Sequence, residues 1–178
     1  MAIDMLQVVG AGAVMAGATA LGRQQAARYR RRPEELRELA TVLRGLRNDI
    51  SYARLPLGES LRRLTPRGQP RVSPARQLFA DVADRLAQPG VTAQQAFALA
   101  LAKSGPALSI TPEDRAVLEA FSLTAGLVGP DEQLGQLDAA LAALTERERE
   151  AVYNRSRYER VIQTTGALIG VLVVILLI

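Results

Sequence analysis

The eighteen residues Val161-Ile-Gln-Thr-Thr-Gly-Ala-Leu-Ile-Gly-Val-Leu-Val-Val-Ile-Leu-Leu-Ile178 decide how the rest of this chain is interpreted. They contain no charged side chain. At a rise of about 1.5 Å per residue, a helix of this length is close to the thickness of the hydrocarbon core of a bilayer. Such a run is at the length where a spanning helix is expected. The sequence therefore predicts a C-terminal transmembrane helix over residues 161–178, in contact with the lipid bilayer.

A second apolar segment, Met5–Gly22, lies near the N-terminus. A signal peptide would carry positive charge before its apolar region, but the one charge there is Asp4. A cleaved leader stays open as an alternative, because Ala18-Thr-Ala20 resembles a cleavage site. The five arginines between residues 23 and 32 come after the segment instead. By the positive-inside rule, residues 1–22 form an N-terminal transmembrane helix whose C-terminal flank is cytosolic.

The flank of the C-terminal span obeys the same rule, with five arginines between residues 147 and 160. The two ends together predict a cell-membrane protein with two spans and a cytosolic domain over residues 23–160. Both arginine clusters are interpreted as topology signals that contact lipid headgroups. A nucleic-acid partner is not expected, because Tyr29 is the one aromatic residue beside the first cluster.

Small residues recur in both predicted spans at the spacing that lets helices approach closely. This pattern is either ordinary glycine usage in membrane helices or a packing surface between spans or between copies of a homo-oligomer. The candidate packing residues are Gly17, Gly22, Gly166 and Gly170.

The composition favours an all-α fold, because 48% of the residues are hydrophobic and only 4% are aromatic. We predict a cytosolic bundle of six helices. Pro33 is expected to open the first, and Pro56 to separate it from a short second helix. The apolar positions of this hairpin recur at spacings of three and four: Leu36, Leu39, Leu43, Leu46, Ile50, Leu57, Leu61 and Leu64.

Capping signals place the remaining helices. Ser73-Pro74, Thr92-Ala-Gln-Gln95 and Thr111-Pro112 each combine an N-cap residue with a first-turn proline or a capping box. From Asp131 no further proline occurs. We expect one helix of about 48 residues, roughly 70 Å long, that continues into the membrane.

No catalytic, metal or cofactor site is expected. The chain has no Cys and no His, which removes the usual nucleophiles, acid–base groups and zinc ligands. The stretch Gly126–Pro130 lacks the lysine of a phosphate-binding loop. The carboxylate pairs Asp81/Asp84 and Glu113/Asp114 are expected to be solvated or to cap helices. The domain is predicted to bind a partner, with no small-molecule substrate.

The first hairpin carries the motif Arg32-Pro33-x-x-Leu36-Arg37-x-Leu39-x-x-x-Leu43-x-x-Leu46-x-x-x-Ile50-x-Tyr52-x-x-x-Pro56-Leu57-x-Glu59-x-x-x-Arg63-Leu64. This motif resembles the stage III sporulation protein AB family of endospore-forming bacteria. The end of the charged segment, Arg157-Tyr-Glu-Arg160, and the spacing of Phe121 and Gly126 before Gln133 are similar to the family's other motifs.

The resemblance implies a fold and a role. The family is similar to the six-helix cytoplasmic domains of the inner-membrane platform proteins of type II secretion and type IV pilus systems. Its members are expected in the mother-cell membrane around the forespore. There they would couple a secretion-type ATPase, stage III sporulation protein AA, to the other subunits of the channel complex between the two cells. A pore or assembly subunit that contacts only membrane components is the alternative, although neither span shows the polar stripe of a conduit.

Partner contacts are expected on the first hairpin and after the fifth helix. Solvated surfaces look the same in one sequence, so these residues are candidates on chemical type and position. They are Arg37, Arg44, Arg47, Tyr52, Pro56, Glu59, Arg63, Asp131 and Gln133.

Overall fold

The computed structural model describes residues 27–66, 72–127 and 129–177, and at Pro130 and from residue 158 onward it describes the backbone alone. Arg32–Tyr153 forms one compact unit, and the described residues on either side of it belong to a second. The bundle discussed below is the unit Arg32–Tyr153. The predicted domain boundaries after residue 22 and before residue 161 stay predictions.

Six α-helices and no strand occur in the described ranges, which confirms the predicted all-α fold. The first helix is described over residues 27–48, and a π-helical turn follows it. A short 3₁₀ turn, Gly105–Ala107, follows the fourth helix. The helices are α1 (residues 27–48), α2 (Leu57–Leu64), α3 (Pro74–Leu86), α4 (Ala93–Ser104), α5 (Pro112–Thr124) and α6 (Pro130–Leu177).

The capping signals set the starts of three helices as predicted. Ser73 caps α3, with its hydroxyl accepting from the backbone N–H of Arg76. Thr92 caps α4 and Thr111 caps α5, each through a complete capping box. These bonds satisfy N–H groups that a helix start otherwise leaves without a partner.

Pro33 does not open α1, so this prediction was wrong. The helix is already formed at residue 27 and passes through Pro33, which is buried. A proline inside a helix removes one backbone hydrogen bond and crowds the preceding turn. The residues beside it offset this cost: Arg32 pairs with Asp114, and the Glu35 carboxylate accepts from the backbone N–H of Ser109.

The turn between α1 and α2 begins earlier than Pro56 suggested. α1 ends at Asn48, and the π-helical turn Asp49–Ala53 is closed by Arg54 at φ 49°. This left-handed conformation is uncommon for a residue with a side chain. Pro56 then stands as the N-cap of α2.

Contacts between successive helices order the bundle. α2 packs on α3, α3 on α4, and α4 on α5, while α5 and α6 line one groove together. Two ion pairs, Arg37–Glu148 and Arg47–Asp138, join α1 to α6 in antiparallel register. Successive helices therefore run in opposite directions along the bundle. We call the end with the turns at residues 49–56, 87–92 and 125–129 the upper end, and the opposite end the lower end.

The apolar faces meet in one core. The leucines of α1 at positions 36, 39, 43 and 46 are fully buried, as the spacing predicted. Phe97 stands between Phe79 and Phe121, with ring centroids 6.1 and 5.8 Å apart in edge-to-face geometry. These three rings join α3, α4 and α5.

Among the residues searched in the described part of the chain, no helix combines the length and apolarity that crossing a membrane requires. The predicted N-terminal span and its glycines, Gly17 and Gly22, lie outside the described residues. Of the predicted C-terminal span, with Gly166 and Gly170, the structure describes backbone alone. α6 runs as one helix from Pro130 to Leu177, which agrees with the predicted single helix.

Candidate partner-binding surface

A buried carboxylate braces the turn between α1 and α2. Asp49 accepts a hydrogen bond from the Ser60 hydroxyl at 2.7 Å and another from the Arg63 guanidinium. Asp49 follows Leu46 by three residues, so in the π-helical turn it continues the line of the apolar face of α1 and is buried. The two bonds fix the turn to α2.

A second buried carboxylate joins α1 to the start of α5 at the lower end. Asp114 accepts two hydrogen bonds from the Arg32 guanidinium, at 2.7 and 2.9 Å. Burial alone would raise the pKa of Asp114, but the bonds from Arg32 and from the backbone of Thr111 outweigh it and lower this pKa. The bond to Asp114 raises the pKa of Arg32. Arg32 is therefore a buried ion-pair residue of the bundle, and assigning it to headgroup contact was wrong.

The third buried carboxylate joins α3 to α4. Asp81 accepts from the Ser104 hydroxyl at 2.5 Å, from Lys103 at 3.0 Å and from Gln77 at 3.3 Å. Burial would raise the pKa of Asp81, but these bonds lower it below its ordinary value. Asp81 was expected to be solvated, and that prediction was wrong, although Asp84 is exposed as expected.

Large side chains are exposed at the upper end of the bundle. Tyr52 is 86% exposed on the π-helical turn, and Leu127 is 71% exposed in the turn between α5 and α6. The antiparallel register of α1 and α6 brings the two turns to the same end of the bundle. Arg54, Pro56 and Asp131 are also exposed there. We call these five residues the upper-end surface.

The candidate arginines of the first hairpin are largely committed to pairs within the chain. Arg37 bonds Glu148 at 2.8 Å, and Arg47 bonds Asp138 at 2.5 Å. The bond from Arg47 lowers the pKa of Asp138. Arg63 belongs to the Asp49 brace described above. The other two polar candidates of the hairpin, Arg44 and Glu59, are exposed.

Gln133 is not an exposed candidate, and expecting it at the surface was wrong. Its exposure is 8%, because it precedes Leu137 by four residues on the core face of α6. Its Nε2 atom is buried and has no hydrogen-bond partner in the described part of the molecule. Gln133 therefore lies beneath the upper-end surface and is not part of it.

Sequence reasoning missed Arg54 and Leu127. Nothing in the local pattern distinguishes Leu127 from a core leucine, since its exposure results from the left-handed turn at Gly126, φ 77°. No group of three or more His, Cys, Asp or Glu residues in the described ranges is placed to hold a metal ion. The upper-end surface exposes an aromatic ring, an aliphatic side chain and a guanidinium. These groups suit recognition of a protein.

Comparison with known proteins places the chain in one family. The sequence model described as stage III sporulation protein AB matches residues 7–178. Stage III sporulation protein AB of Bacillus subtilis (strain 168) is 28% identical over 173 residues, which cover 97% of this chain and 99% of that protein. A solved structure of a stage III sporulation protein AB shares the fold, with a TM-score of 0.63 at 24% identity, over 71% of this chain and 98% of that one. The resemblance found in the sequence is confirmed, and the chain belongs to the stage III sporulation protein AB family.

Proposed function

We propose that this chain is a non-catalytic membrane platform subunit of the channel complex between mother cell and forespore. Two spans hold the bundle at the cytosolic face of the mother-cell membrane. A secretion-type ATPase, of the stage III sporulation protein AA type, contacts the upper-end surface.

The observation that carries this proposal is the exposure of Tyr52 on a turn that the core holds in place. A tyrosine in open water leaves a large apolar ring uncovered, and tyrosine and arginine are enriched where protein partners bind. π-Helical turns and strained backbone both occur frequently at functional sites. Tyr52 lies on such a turn, and Arg54, at φ 49°, closes it.

α6 supports the coupling role. It begins at the upper end, beside the proposed docking surface, and continues as one helix to Leu177. A force applied to the turn before Pro130 acts on the same helix that carries the predicted C-terminal span. No loop intervenes between the two ends of α6.

The test is site-specific photocrosslinking in membranes that contain the ATPase. A photoreactive phenylalanine analogue replaces Tyr52 or Leu127 in the full chain. The matched control replaces Leu99, which is 49% exposed on α4, away from the upper end. We expect crosslinks to the ATPase from positions 52 and 127 and none from position 99.

The outcomes separate this proposal from its rival. Crosslinks from position 52 to integral membrane proteins alone would favour a pore or assembly subunit. Equal crosslinking of the ATPase from position 99 would show that the upper-end surface is not the docking site.

A further inference from the structure

Arginines are concentrated on α1 and α6 just outside the bundle. Residues 27–31 and residues 154–157 together carry five arginines and no acidic residue. Both segments belong to the second compact unit, so these charges lie in one region. Next along α6 come Glu159 and Arg160, whose charges cancel. Like charges repel one another, so a bound anion would stabilise this region. The five arginines are Arg28, Arg30, Arg31, Arg155 and Arg157.

Three of these arginines have no anionic partner in the described part of the chain. Arg28, Arg31 and Arg157 are exposed and form no ion pair with any described side chain. Glu34, the next acid along α1, does not pair with them either. Glu150, the acid that precedes the arginines on α6, is already paired with two arginines of the bundle. An excess of positive charge therefore remains in this unit.

The position of the arginines along α6 matches the level of lipid headgroups. Arg157 precedes the uncharged run at Val161 by four residues, which is about 6 Å along a helix. The headgroup layer on each side of a bilayer is about 5–8 Å thick. This step rests on the proposed membrane placement of residues 161–178. Given that placement, the long side chain of Arg157 reaches the lipid phosphates.

Tyrosines accompany the arginines on both helices. Three of the four tyrosines in the chain, Tyr29, Tyr153 and Tyr158, lie in or beside the two segments. The side chain of Tyr153 is exposed. Tyrosine is enriched at membrane–water interfaces, because its ring is apolar and its hydroxyl is polar. The tyrosines are therefore a second indication of a lipid surface, and this one does not depend on charge.

We propose that the arginines of residues 27–31 and 154–157 form a binding site for the headgroups of anionic phospholipids. Arg28, Arg31 and Arg157 are its main contacts, and a guanidinium can donate two parallel hydrogen bonds to one phosphate. A zwitterionic lipid also carries a phosphate, but its ammonium group would lie among the arginines. An anionic lipid adds no such repulsion and is preferred. Bound headgroups reduce the repulsion between α1 and α6 and fix the depth of both helices in the interface.

Lipid titration of the full chain tests the class of ligand. The chain in a neutral detergent is titrated with short-chain phosphatidylglycerol, and thermal unfolding is followed by circular dichroism. A ligand that binds only the folded chain raises the Tm. We expect phosphatidylglycerol to raise the Tm, and high salt to weaken this effect. Phosphatidylcholine with the same acyl chains, and inorganic phosphate, should each have a clearly smaller effect at equal concentration. An equal effect of either would overturn the proposal.

Matched arginine changes test the location of the site. Arg28→Gln combined with Arg157→Gln removes one guanidinium from each helix. At about fivefold per arginine, the phosphatidylglycerol concentration for half of the Tm shift should rise roughly 25-fold. The control, Arg44→Gln with Arg62→Gln, removes two exposed arginines of the bundle that form no ion pair among the described residues, and should leave this concentration unchanged. Equal effects of the two double variants, or no effect of the first, would rule out this site.

An extraction assay separates the lipid site from the proposed function. Alkaline carbonate releases peripheral proteins from membranes and leaves integral ones behind. Release of the full chain would overturn the membrane placement and the lipid site together. A chain that resists extraction but shows no preference for phosphatidylglycerol would overturn the lipid site alone. Because no ATPase is present in these assays, the docking proposal depends on its own crosslinking test.

Discussion

Replacing Asp114 by Asn tests the buried pair that joins α1 to α5. Asp114 is fully buried and accepts two hydrogen bonds from Arg32, which is itself buried. The amide keeps the shape of the carboxylate but carries no charge, so the buried guanidinium is left with the longer pair to Glu150, whose Oε2 atom lies 4.0 Å from Arg32 Nη2. Breaking a buried pair in this way costs about 3–5 kcal/mol. The total free energy of unfolding of a domain is about 5–15 kcal/mol, so the loss is large.

The assay is thermal unfolding of the full chain in detergent, followed by circular dichroism at 222 nm. At about 3 °C per kcal/mol for a domain of this size, Asp114→Asn should lower the Tm by roughly 10 °C. Glu34→Gln, which changes an exposed carboxylate two residues after Arg32, is the control and should leave the Tm unchanged.

A double variant distinguishes the effect of leaving one charge unpaired from a simple loss of packing contacts. Arg32→Met with Asp114→Leu removes both charges and fills the space, which in comparable buried pairs is close to neutral. It should be more stable than either single change. The ion pair does not stabilise the bundle if Asp114→Asn costs less than about 1 kcal/mol. The same conclusion follows if the double variant loses as much stability as the two single variants lose together.

Three further predictions concern pH, the aromatic core and the buried amide. Because the pKa values of Asp81 and Asp114 are lowered on folding, their stabilisation is present above the unfolded value, about 3.9, and is lost as the pH falls through the folded values. Urea titrations should show this loss below about pH 4, and Asp114→Asn should make it smaller. Phe97→Ala should cost about 3–5 kcal/mol in urea unfolding, since the ring is fully buried between two others, whereas Phe97→Leu should cost clearly less. Gln133→Leu removes a buried donor without a partner and should leave unfolding unchanged or stabilise the chain by about 1 kcal/mol; a clear loss of stability would show that the amide has a partner in solution.

The local signals of the sequence predicted the elements well. Capping residues at Ser73, Thr92 and Thr111 placed the starts of three helices, because each cap acts on N–H groups within the next few residues. The leucine spacing of α1 identified its buried face, because residues three and four apart lie on the same side of a helix. These signals concern neighbours along the chain.

The hydrogen bonds to the buried carboxylates were missed because their partners are distant in sequence. Arg32 and Asp114 are 82 residues apart, and Asp81 and Ser104 are 23 apart. A signal was nevertheless available: Asp49, Asp81 and Asp114 each lie three or four residues from a core leucine on the same helix face. An acid at such a position predicts a buried carboxylate that needs a donor, although it does not name the donor. Gln133 is buried for the same reason, since it lies four residues before the core residue Leu137.

The two hydrogen bonds that hold Asp49 also affect how strongly a protein can bind at the upper end. Fixing the backbone of one residue costs about 1–2 kcal/mol of conformational entropy, so a flexible loop loses affinity each time it is ordered by a partner. The bonds from Ser60 and Arg63 hold the turn in place when the bundle folds. A protein that docks on Tyr52 therefore meets a preorganised backbone, and the remaining entropy cost there is that of the exposed side chains. A small contact area can then give useful affinity while still allowing rapid release, which suits a partner that must engage and disengage in cycles.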